Sequence, residues 1–106
     1  MSSYIIRVEM HQKDFNYTLL HAEMKRHNCI KQIRSDKGVW YDLPEAEYCL
    51  SDITEQSPVE IRDFISEQLG KLGWSFWLIV TKYDSTAWVL RPSNQSNALI
   101  AGILSM

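Results

Sequence analysis

The chain has 106 residues, 45% of them apolar and 23% charged, which is enough core for one compact domain and leaves no room for a second. Its formal charge of -2 joins two unlike parts, since residues 1–34 carry six basic and three acidic side chains and residues 42–67 carry one basic and eight acidic. This balance argues against a uniformly basic, non-specific nucleic-acid binder and gives no reason to expect DNA as a partner. Two cysteines, Cys29 and Cys49, do not make a disulfide framework, and the amino terminus shows neither a basic leader nor an apolar run before a cleavage site. The expected location is cytoplasmic, with reduced thiols. No stretch approaches the roughly 20 apolar residues that span a bilayer, so no membrane partner is expected.

From the amino terminus, Tyr4, Ile6, Val8 and Met10 alternate with Ile5, Arg7, Glu9 and His11. A period of two sends the sets to opposite faces of a strand, the apolar set towards the core and Arg7, Glu9 and His11 together to the other side, roughly 7 Å apart. A helix is predicted over Asp14 to Asn28, with Tyr17, Leu20 and Met24 as its buried stripe and His21 at the edge of that stripe. Cys29 to Ser35 reads as a second strand, Asp36-Lys37-Gly38 as a turn, and Ala46 to Leu50 as a third strand. Val39 to Pro44 either extends the hairpin or bulges from it. A hairpin centred near Val39 brings Cys29 and Cys49 towards each other, as two buried thiols or as a redox pair.

The Ser57-Pro58-Val59-Glu60 run combines an N-cap serine, a proline at the first helical position and a capping-box glutamate, so a helix starts there. Ile61, Phe64, Ile65, Leu69 and Leu72 follow at helical spacing, which carries the predicted helix to Leu72, before Gly73. Trp74 to Tyr83 is apolar on both faces, as in the interior of a sheet, and Thr86 to Leu90 is expected to pair with it through Asp84-Ser85. The order describes an α+β fold: a ferredoxin-like βαββαβ sandwich over residues 1–91, with an added edge strand, both helices on one face of an antiparallel sheet, and the other face open. Residues 92–106 form an apolar tail ending in ALIAGIL. It is expected to dock on the open face, on a partner or on a second subunit, a homodimer being the expected outcome.

The succession YIIRVEM, a helix with Leu20, His21 and Met24, then SDKGVWYDLP with EAEYCL, and a capped helix before WLIVT resembles the GhoS-type endoribonuclease antitoxins. These are small ferredoxin-like proteins of type V toxin-antitoxin systems, related to the CRISPR-associated spacer-acquisition nuclease subunit. The resemblance spans roughly residues 3–90. It implies a small endoribonuclease that cleaves or binds the messenger RNA of a partner toxin. It also implies that Glu9, near the end of the first strand, occupies the acidic functional position, and that His21, Lys25 and Arg26 are the basic residues of the first helix. The chain departs from the pattern in carrying glutamate where aspartate is usual, and in the apolar tail after Arg91.

RNA is cleaved without a metal when a base activates the 2'-hydroxyl, an acid protonates the leaving oxygen and a cation steadies the phosphorane. Histidine titrates in the range both proton tasks need, which makes His11 and His21 candidates beside Glu9, with Arg7 and Arg26 for phosphate. The alternative is magnesium held by Glu9 from two subunits or by Glu9 with Asp14, since hard cations take carboxylate oxygens. The competing readings are an exposed Arg7–Glu9 ion pair, a His21 that merely flanks the core, and a solvated His27. A zinc site is not expected, because the histidines and cysteines show no short paired spacing. Several aromatic side chains, Trp77 among them, are candidates for stacking on RNA; most are expected in the core, with Trp40 the best exposed. The other function class is a noncatalytic module of the same fold that binds or inhibits a protein through the acidic middle or the tail.

Overall fold

The computed structural model describes residues 1–93, which form two helices and antiparallel sheets. In chain order the elements are β1 (Ser2–Met10), α1 (Tyr17–Arg26), β2 (Gln32–Arg34), β3 (Trp40–Asp42), β4 (Glu47–Ile53), α2 (Pro58–Gly70) and β5 (Phe76–Tyr83). β1 is the centre of a three-stranded sheet, pairing with β4 on one side and β5 on the other. β2 and β3 form a separate hairpin, joined to β4 by one bridge in which Ile30 and Cys49 exchange backbone hydrogen bonds of 3.0 and 2.7 Å.

The alternation along β1 sorts its side chains as expected. Tyr4, Ile6 and Val8 are fully buried, and with Leu20 and Met24 of α1, Tyr48 and Leu50 of β4, and Ile61, Ile65 and Leu69 of α2 they make the main core. Tyr4 also ties this layer to the loop before α2, because its hydroxyl donates to the Gln56 carbonyl and accepts from the Gln56 amide.

Both helices are shorter than the apolar spacing suggests, for local reasons. Asp14 has a φ of 56°, outside the helical region, and Asn16 is the cap, its side chain accepting from the Thr18 amide at 2.9 Å. At the other end Asn28 has a φ of 64°, and the amides of Asn28 and Cys29 close back on the carbonyls of Lys25 and Met24, a left-handed stop that ends α1 at Arg26. The capping box at Ser57 and Glu60 forms as its sequence dictates, with both reciprocal bonds present. α2 ends at Gly70, and Gly73 turns the chain towards β5 with a φ of 77°.

Two expectations change. The sheet face away from the helices is only half open, because Ile33, Leu43 and Cys49 build a second apolar cluster there with Ile5, Tyr41, Tyr83, Trp88 and Leu90. Thr86 to Leu90 holds no strand: the chain leaves β5 and crosses to the hairpin. The Asp42 amide there bonds Arg91 and the Ser93 amide bonds Trp40, with Pro92 bridging Tyr41. Partly burying Trp88 and Leu90 against the Ile33, Leu43 and Cys49 cluster, with the Trp88 ring edge-on to Tyr41, takes the place of a ladder on β5; Val89, between them, stays fully exposed. Cys29 and Cys49 are both free and buried, but Cys29 packs in the main core and Cys49 in the second cluster. The apolar run ALIAGIL lies outside the described residues.

Candidate functional site

The open half of the sheet is built by the last turn of alternation in β1 and the first in β5. Arg7 stands opposite Ile79, and Glu9 opposite Trp77. His11 follows β1 directly and extends its ladder, its amide donating to the Ser75 carbonyl at 2.9 Å. Its side chain therefore falls on the same face, with Nε2 3.2 Å from Glu9 Oε2 and the ring edge-on to Trp77 at a centroid distance of 5.0 Å. Arg7 reaches Glu47 of β4 at 3.9 Å, a loose pair at an exposed position. Arg7, Glu9, Trp77 and Ile79 line a shallow depression of about 240 Å³.

Because a carboxylate only accepts, Glu9 fixes Nε2 of His11 as the protonated nitrogen and leaves Nδ1 as the basic one when the ring is neutral. Among the described residues no side chain hydrogen-bonds to Nδ1. The pair is open to solvent, Glu9 being 67% and His11 31% exposed at the side chain.

The other expected site residues lie elsewhere. His21 projects from α1 on the helix side of the sheet. Its Nδ1 is 2.7 Å from the hydroxyl of buried Tyr48, and its Nε2 is 3.2 Å from Glu45. Burial, then the charge of Lys31, hold the His21 pKa below its ordinary value, while Glu45 pulls the other way. Lys31 itself is anchored by the carbonyls of Leu43, Pro44 and Glu47 and lies over the Tyr48 ring, with its pKa lowered by burial. Burial raises the Tyr48 phenol above its usual range and pushes the Cys29 thiol up to about 12, so neither is a ready nucleophile near neutral pH. Arg26 and His27 both bond Glu23 at 3.0 Å, and His27 meets the Phe64 ring edge-on. Lys25 shares that last helical turn. The structure thus brings Glu9 and His11 together beside Arg7, and separates them from His21, Lys25 and Arg26 by the thickness of the sheet.

Trp40 is half-buried on β3 beneath the Arg34 guanidinium, 5.9 Å from its ring centre, whereas Trp77 is 68% exposed and Ile79 60%. Trp77 is therefore the ring available for stacking on this face. The run Trp74 to Tyr83 hides that role in the sequence, because uniform apolarity suggests an interior strand; β5 is instead the sheet edge, and its Trp77, Ile79 and Thr81 face solvent. Among the described residues no group of three or more histidine, cysteine or acidic side chains is close enough to hold a metal ion, and Glu9 Oε2 is engaged by His11. No helix among them is long and apolar enough to cross a membrane. Comparison with family models, curated proteins and solved structures finds no match.

Proposed function

We propose that this protein binds single-stranded RNA on the open half of its sheet and cleaves it there, as a small endoribonuclease-like antitoxin directed at the messenger RNA of a partner toxin. The observation that carries the reading is the Glu9–His11 pair set edge-on to exposed Trp77. A carboxylate-oriented imidazole supplies a base, an exposed indole offers a stacking surface for a base of the RNA, and Arg7 on the same strand face supplies the phosphate contact. In this scheme His11 Nδ1 takes the 2'-hydroxyl proton, the 2'-oxygen attacks the neighbouring phosphorus, and the bond to the 5'-oxygen breaks with a proton returned to that oxygen through solvent. A ferredoxin-like arrangement is part of the proposal. It is supported by the order β5-β1-β4, extended by the Ile30–Cys49 bridge towards β2, with a helix in each crossover.

The test is purified protein on total RNA, with and without chelator. Cleavage that survives chelator and disappears in His11→Ala supports the metal-free scheme. Cleavage lost in chelator moves Glu9 to magnesium binding, and no cleavage in either condition removes the catalytic reading. The noncatalytic alternative has one observation in its favour, the adjacent apolar pair Trp77 and Ile79 at a sheet edge, since such residues are also typical of protein contacts.

A further inference from the structure

We infer that the free edge of β5 is a self-association surface, pairing antiparallel with β5 of a second copy about a two-fold axis at Ile79. The bond from the His11 amide to the Ser75 carbonyl fixes which groups of β5 face β1: those of the odd-numbered residues. The N–H and C=O groups of Phe76, Leu78, Val80 and Lys82 therefore point away from the sheet, and among the described residues no strand or backbone group meets them. An edge eight residues long with outward-facing apolar side chains is ordinarily guarded by proline, a bulge or charge. β5 has neither proline nor bulge, and its one charged residue, Lys82, is drawn to Glu55 at 3.0 Å.

The edge is complementary to itself. With Ile79 on the axis, Leu78 faces the partner's Val80 and Phe76 faces the partner's Lys82, so all four outward-pointing residues enter hydrogen-bonded pairs. Trp77 then lies across from the partner's Thr81, and Ile79 across from the partner's Ile79, both as close non-hydrogen-bonded pairs. No two like charges oppose each other in this register. A second copy therefore satisfies the edge along its whole length in an isologous, closed contact. Same-parity pairing keeps corresponding faces together, so the six-stranded sheet that results presents both Glu9–His11 pairs on one surface.

Sedimentation of the full chain tests this, with no RNA in the readout, so its outcome is independent of the proposed activity. Wild type is expected at twice the chain mass. Ile79→Lys, which places two like-charged side chains directly opposite each other on Cα atoms about 4.5 Å apart at the axis, is expected at the chain mass with an unchanged circular dichroism spectrum. Because paired Cα atoms at that spacing suit a disulfide, oxidised Ile79→Cys should cross-link into dimers above the wild-type background, and Thr81→Cys should not. A monomeric wild type, an Ile79→Lys variant that keeps the doubled mass, or equal cross-linking by both cysteine variants overturns the inference. So does a monomer whose Leu78 and Val80 amides resist hydrogen exchange until residues 94–106 are deleted, which would make the chain's own tail the occupant.

Discussion

The hydroxyl of Tyr48 donates to Nδ1 of His21 at 2.7 Å while Nε2 of the same ring donates to Glu45, so a surface helix residue is wired to a fully buried phenol. The arrangement suits the neutral imidazole. Protonation would take away the acceptor for the buried Tyr48 hydroxyl proton and place a positive charge near Lys31.

Stability should therefore fall in mild acid. Burial and Lys31 lower the folded-state pKa of His21 from 6.5, so between that lowered value and about 6.5 the unfolded chain binds the extra proton. Unfolding free energy is then highest above about 6.5, declines as pH falls through this window, and levels off below the folded pKa. Urea midpoints across a pH series should show the decline in wild type and a shallower one in His21→Gln. Equal slopes would remove His21 as the cause.

Glu9→Gln should lower RNA cleavage by less than His11→Ala does, with little change in melting temperature, because the carboxylate is largely exposed and orients His11 without supporting the core. His11→Ala should reduce cleavage by about 100-fold or more, a usual magnitude for a general base. His21→Ala, remote from this face, should lower stability more than turnover per folded molecule; an equal loss of turnover in both histidine variants would argue for a site on the helix side.

Leu20→Ala and Ile65→Ala should each cost about 2–5 kcal/mol, since both side chains are enclosed in the main core and their removal leaves a cavity. Denaturant unfolding measures this. A loss below about 1 kcal/mol would mean that the two helices do not share that core.

Tyr4→Phe keeps the ring in place but strips both hydrogen bonds from the Gln56 backbone. A loss of about 1–3 kcal/mol is expected, together with faster hydrogen exchange at the Gln56 amide.

Much of the fold is legible in the sequence because its strongest signals are local. The alternation in residues 4–10 sorts β1 correctly, and the Ser57–Glu60 box places the start of α2 to the residue. What the sequence hides depends on long-range pairing. Apolarity on both faces of Trp74 to Tyr83 does not distinguish a central strand from an edge strand backed by helices, so the exposure of Trp77 and Ile79 emerges only from the sheet order. Similarly, Glu9 and His11 share a face by parity alone and can be paired from sequence. His21 is separated from them by a helix crossover, which residue spacing does not register. Trp88 and Leu90 look like a strand and serve instead as a cover for the second cluster.

The central place of β1 has a consequence for how the chain is made. Arg7 finds its neighbours in Glu47 and Ile79, so β1 is synthesised before both of its partners and has its second edge satisfied only when β5 follows. Until β5 emerges, Tyr4, Ile6 and Val8 belong to a strand that cannot close its sheet, and such distant pairings are entered slowly because the whole intervening loop must be ordered first. Nascent chains halted before Phe76 should be recognised by chaperones and sensitive to protease, and protection should arrive in a single step once β5 is free to dock.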